Sequence, residues 1–321
     1  MAGRARWSLP LRLSIGLALI AFLAHSIGGD GLRAALAPIR AHPAWIAAAL
    51  ALTFFALLVG AIRWHVILRV MGLPASFGRT FRGFFIGQFF NAFLFGACGG
   101  DLARAIFAAH DHPEKRAEAV TSVILDRAIG LIITLLFGCG LLLPRIRAFA
   151  GHGETRFPLV LMALFLLATL AFLALFFTLN LFERIPWLER WQRHGRTGPL
   201  FRRAYDALYL FRQNTRRLLV PALLSMANLL LLAAATAALA RALDTPIAFP
   251  DLLAVFPVIT VLAAIPLTPG SLGVREGLYI QLLHPWGVAP GPALLLSLLG
   301  YLAATLWSLF GGLLFLFRPR S

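Results

Sequence analysis

Charge is the first scarcity of this chain. Only 13% of its 321 residues are Asp, Glu, Lys or Arg, against about a quarter in a soluble domain. Hydrophobic residues make up 60% and the mean hydropathy is +0.83, which excludes an ordinary soluble fold and leaves an integral membrane protein. Cysteine is scarce too. Cys98 and Cys139 both lie in apolar segments and no CxxC occurs, so no disulfide framework is expected. The long apolar runs lack period-two alternation, which favours helices over a barrel. Catalytic signatures are missing as well: no HExxH, GxSxG, Walker loop or GxGxxG after a strand. The protein is therefore expected to be no enzyme, and any transport would be passive or gradient-driven. His110 and His112 lack further ligands to make a metal site, and no cofactor is expected.

Basic residues are what the chain has in excess, 29 against 13 acids for a net charge of +16. They are spread between apolar runs, where they act as topology signals and not as a nucleic-acid surface. Six runs are long enough to span: 9–27, 45–62, 119–143, 157–182, 218–240 and 292–317. The first, preceded by Arg4, Arg6 and Arg12, is read as a retained helix and not a cleaved signal. Two more are short and broken. Residues 83–98 give way to Gly99 and Gly100, and 252–266 break at Pro266, Pro269 and Gly270; both are read as re-entrant hairpins. With a cytoplasmic N-terminus, 20 basic residues fall inside, six outside and three at membrane depth, a strong positive-inside bias. Arg63, Trp64 and His65 are counted there as an interface anchor.

The resulting fold class is an all-α polytopic membrane protein, one membrane domain over 1–321, with about six spanning helices and two re-entrant hairpins. Its halves, 1–150 and 157–317, each read span, span, hairpin, span. Three crossings per half invert the second copy, an architecture that places a substrate site between the repeats. Linker 183–217, with nine arginines and three acids, is expected to lie on an anionic cytoplasmic lipid surface.

The charges at the hairpin tips draw most attention. Asp101 and Arg104 follow Gly99 and Gly100; Arg275 and Glu276 follow Pro269, Gly270 and Gly273. A charge at bilayer depth costs about 2.5–3.5 kcal/mol on insertion scales, so both tips point to a polar cavity. Plainer roles stand beside this one. Asp101 can cap the return helix, Arg104 can neutralise Asp101 at i,i+3 spacing, and Arg127 can snorkel. Asn91 can bond a neighbouring helix backbone, and the phenylalanines of 84–95 read as a packing or lipid face. Asp126 and Arg127 are adjacent and must find separate partners.

Three motifs in order resemble the membrane domain of lysylphosphatidylglycerol synthases, a flippase-like family. Asn91, Gly96, Gly99, Gly100, Asp101 and Arg104 fit its first signature. Asp126, Arg127 and Gly130 fit an Asp-Arg-x-x-Gly, and Pro269, Gly270, Gly273 and Glu276 fit a Pro-Gly-x-x-Gly-x-x-Glu. Phe95, Ala97 and Cys98 depart from the family pattern at the first turn. The resemblance covers nearly the whole chain and implies a stand-alone member without the soluble aminoacyltransferase domain. It further implies flipping or export of a polar-headed lipid across the bacterial inner membrane: a hopanoid, an aminoacyl-phospholipid or a polyprenyl-linked lipid. Its substrate-binding residues would be Asn91, Gly99, Gly100, Asp101, Arg104, Asp126, Arg127, Pro269, Gly270, Gly273, Arg275 and Glu276.

Two rival readings remain at this point. One is an accessory subunit that meets a lipid-synthesis enzyme through linker 183–217, and the other is an intramembrane enzyme using Asp101 or Glu276. Deep charges of Arg104, Arg127, Arg275, Asp101, Asp126 and Glu276 sum to zero, leaving the headgroup charge open. Because Arg275 and Glu276 are adjacent, the expectation is that they pair across the tips, Arg275 with Asp101 and Glu276 with Arg104.

Overall fold

A computed structural model describes residues 37–93, 99–149, 153–178, 215–265 and 271–317. The first predicted span (9–27), Gly96, Pro269, Gly270, the chain end and residues 183–214 of the linker lie outside the described residues.

Nine α-helices occupy the described residues, and no strand is found among them. They are α1 (Pro43–Val70), α2 (Phe77–Phe93), α3 (Gly99–Asp111), α4 (Arg116–Leu142), α5 (Arg156–Thr178), α6 (Leu219–Ala242), α7 (Phe249–Ala263), α8 (Val274–Leu283) and α9 (Pro290–Leu316). Prolines open several of them. Pro43 and Pro290 stand where the first helical N–H has no partner to lose. Five segments are long and apolar enough to cross a bilayer: Pro43–Val70, Pro113–Phe149, Arg156–Leu175, Arg216–Ala242 and Pro290–Leu316. They coincide with five of the six expected spans, and the chain is a polytopic helical membrane protein.

The two broken segments form helical hairpins. In the first, α3 returns along α2, with Gly100 against Gly87 and Asn91, and Arg104 against Gly87 and Phe84. A Cβ on Gly100 would overlap the Gly87 carbonyl, so the close approach requires glycine. In the second, α8 packs on α7, and the Ser271 hydroxyl donates to the Ala263 carbonyl.

The helices pair in matched sets. At the centre α1 lies along α6; α2 packs on α9 as α7 packs on α4; α3 packs on α4 as α8 packs on α9. Exchanging the two halves maps these pairings onto one another. Small residues make the long contacts possible: a Cβ on Gly138 of α4 would strike Pro257 of α7, and one on Gly311 of α9 would strike the Phe85 backbone of α2. The phenylalanine stripe is a packing face, with Phe85 against Phe81 and Phe310, and Phe90 against Phe315.

One expectation fails at the end of the second run. Arg63, Trp64 and His65 do not anchor an interface, because α1 continues to Val70 and carries them inside. Trp64 and His65 are buried. The Trp64 indole donates to Ser122 at 3.2 Å, and His65 Nδ1 lies 3.2 Å from the Thr80 hydroxyl.

Candidate functional site

Asp126 is the centre of the first cluster. It stands on α4 with a side chain only 2% exposed, and each of its oxygens takes an arginine. Arg63 of α1 donates from Nε to Oδ1 at 2.7 Å, and Arg104 of α3 from Nη2 to Oδ2 at 2.8 Å. Two guanidinium donors on one carboxylate offset the cost of taking three charges out of water. Arg63 also donates to Ser225 of α6 at 3.0 Å, so a single network ties α1, α3, α4 and α6. The Arg104 guanidinium lies 4.3 Å from the Trp64 ring centroid and 5.0 Å from that of Phe84, two cation–π contacts that strengthen away from water.

Asp101, in the first turn of α3, binds the Arg127 guanidinium, with Arg104 Nη1 a further 3.6 Å contact. Arg127 is thus held by Asp101 and lines the cavity. Asp126 and Arg127 do take separate partners. Asn91 fastens the hairpin by accepting the Gly100 N–H at 2.8 Å.

The second cluster is smaller. Glu276, fully buried, reaches back to the Gly273 N–H at the start of α8. It accepts from Arg275 Nη2 at 2.8 Å and from the Ser297 hydroxyl of α9 at 2.8 Å, while Arg275 Nε donates to that same hydroxyl at 2.8 Å. Gly273 has φ +84°, a conformation other residues enter only with strain. Arg275 also stands 5.0 Å from the Tyr301 ring centroid.

The cross-tip pairs expected from the sequence do not form. Arg104 is held by Asp126 and Asp101, and Arg275 by Glu276 and Ser297. Adjacent helical residues point about 100° apart, but a long guanidinium folds around Ser297 and closes the gap. The expected charge balance changes as well. Arg63 joins Arg104, Arg127 and Arg275 against Asp101, Asp126 and Glu276, leaving the two clusters positive by one.

These geometries explain the three motifs. Gly130 lies one turn beyond Asp126, and a Cβ there would come within 3.1 Å of Arg63 Nη1, so the glycine makes room for the arginine. Gly100 permits the hairpin contact, and Gly273 supplies the backbone turn that Glu276 closes.

Both clusters border one cavity. A chamber of about 410 Å³ is lined by Gln88, Asn91, Arg127, Arg275, Ser297 and Tyr301 among others. A second of about 380 Å³ includes Arg63, Asp101, Arg104, Asp126, Ser225 and Asn228. Gln88, Asn91, Arg127 and Thr260 line both, so the chambers adjoin between the hairpins. Sequence reasoning missed Arg63, Ser225, Ser297 and Tyr301; Arg63 alone carried a signal, a charge beyond the middle of a long apolar run. Among the described residues no three His, Cys, Asp or Glu side chains are grouped to hold a metal.

Fold and cavity together define a multi-pass membrane protein with a charged chamber between two helical hairpins. The family described as "Lysylphosphatidylglycerol synthase TM region" matches residues 10–311, and the chain belongs to it. No curated protein matches the sequence.

Proposed function

We propose that the protein moves a polar-headed lipid between the leaflets of the bacterial inner membrane, its headgroup passing through the chamber between the hairpins. The observation that carries this reading is the arginine-lined cavity inside a bundle of membrane-spanning helices. Hydrocarbon alone would not require such a lining, and buried charge without a role is costly. Membership of a family linked to flippase-like function supports it. The positive excess, with Arg104 Nε buried and without a hydrogen-bond partner among the described residues, favours a headgroup bearing a phosphate. On this reading the protein is a transporter and not an enzyme. Both termini are cytoplasmic, and the arginines of linker 183–217 rest on anionic lipid.

The test is a proteoliposome assay with a fluorescent phosphatidylglycerol, scored by chemical quenching of the outer leaflet. Wild-type protein is expected to bring the inner-leaflet label to the surface, and Arg127→Gln to slow this about tenfold. Folded protein that moves neither phosphatidylglycerol nor a zwitterionic or cationic lipid would overturn the proposal. For topology, a cysteine at Asp111 should label from the cytoplasmic side and one at Glu154 from the outside, in protein lacking Cys98 and Cys139.

A further inference from the structure

The arginines of the two chambers account for a headgroup; the hydrocarbon chain needs a route of its own to the bilayer. A third crevice, about 330 Å³, lies between α1, α6 and α9. Its walls include Ile46, Leu50, Leu299, Leu302, Leu306 and Leu309, and Thr305 is its one polar residue. Leu302, Leu306 and Leu309 are exposed among the described residues, at 58%, 52% and 46%. They sit on a helix of spanning length, so this side faces hydrocarbon in a bilayer.

Two further observations separate this crevice from the ordinary lipid-facing surface. The first is continuity: Leu239 and Thr305 line both it and the 410 Å³ chamber that holds Arg275 and Arg127. The second is its counterpart. Exchanging the halves replaces α9 by α4, and there Arg63, Asp126, Ser225 and Asn228, with Asp101 and Arg104 of α3, line the second chamber. The α4 side carries Asp126 and Arg127, whereas the α9 side of the crevice is apolar but for Thr305. The apolar one is also braced. Trp307 of α9 donates its indole N–H to the Leu50 carbonyl of α1 at 2.9 Å and packs on Phe54 at 4.7 Å between centroids.

We infer that the α1–α9 crevice is the slot through which a hydrocarbon chain of the transported lipid stays in the bilayer while its headgroup occupies the charged chamber. This rests on the lipid-transport reading and adds the route and the face. The occupant is an acyl or isoprenoid chain of the same molecule that the arginines hold. A lipid in this position spans the shared wall at Leu239 and Thr305, so headgroup and chain binding are coupled.

The experiment uses full-length protein in bilayers containing a phosphatidylglycerol with a diazirine near the end of one acyl chain. Photolabelled peptides are then mapped by mass spectrometry. Labelling is expected over 46–50 and 299–309, falling severalfold in Arg127→Gln, which weakens headgroup binding. Leu164 on α5, also exposed to hydrocarbon at 57%, should label equally in both proteins. Leu306→Trp, a change at an exposed position, should abolish crevice labelling and slow phosphatidylglycerol translocation about tenfold. If crevice labelling is as insensitive to Arg127→Gln as that at Leu164, the crevice holds annular lipid only and the inference fails. If Leu306→Trp transports at the wild-type rate, the slot fails while lipid transport stands. If wild-type protein transports nothing, the transport reading fails by itself.

Discussion

The two hairpin tips solve one problem with different chemistry. Each must keep an arginine inside a membrane-spanning bundle, and each uses the helix that follows its hairpin. At the first tip α4 supplies a carboxylate, Asp126, which holds Arg104 and recruits Arg63 from α1. At the second, α9 supplies only a hydroxyl, Ser297, and the carboxylate comes from the hairpin itself as Glu276. The first network joins four helices; the second stays within α8 and α9. The first is therefore the fixed half of the site, and the second has fewer bonds to rearrange when a ligand approaches Arg275.

The largest expected break in this comparison is Asp126→Asn. It leaves Arg63 and Arg104 buried without their carboxylate, a loss of about 3–5 kcal/mol, read as a lower thermal unfolding midpoint in detergent. Ser297→Ala should cost roughly 1.5–3 kcal/mol, the range for a hydrogen bond to a charged group. Equal losses from these two changes would show that the tips are alike in strength. Gly100→Ala forces a Cβ against the Gly87 carbonyl and should cost about 1–3 kcal/mol. In α8, by contrast, a Cβ on Gly277 meets nothing within 4 Å, so Gly277→Ala should stabilise that helix by roughly 0.5–1 kcal/mol. A destabilised Gly277→Ala protein would mean that α8 is as closely packed as α3. The same four unfolding curves, repeated with phosphatidylglycerol, sharpen the contrast: ligand should shift the Ser297→Ala midpoint more than that of Asp126→Asn.

Much of the fold could be read before any coordinates, because long apolar stretches between arginines have few folded alternatives. Five of the six expected spans match helices of spanning length, and the sixth, 9–27, lies outside the described residues. The hairpins were legible through Gly99 and Gly100 and through Pro266, Pro269 and Gly270. Partner choice was not. Arg63 reads as a flanking charge because hydropathy cannot tell a residue near a helix end from one facing another helix's carboxylate. The pairing of Arg275 with Glu276 was missed because spacing rules describe Cβ directions, while a guanidinium reaches several ångströms beyond its Cβ.

Sequence alone determined the solvent of this protein, the approximate number of crossings, the places where helices break and the identity of most charges kept inside. Each follows from a local cost, that of placing a charge, a glycine or a polar backbone in hydrocarbon, and a local cost is written residue by residue. Only the tertiary structure decided which charges meet, that the two clusters are positive by one, and that one of two adjoining chambers meets an apolar crevice beside α9. Those are properties of helices distant in sequence: Arg63, Arg104, Asp126 and Ser225 come from four of them, and only packing brings them together.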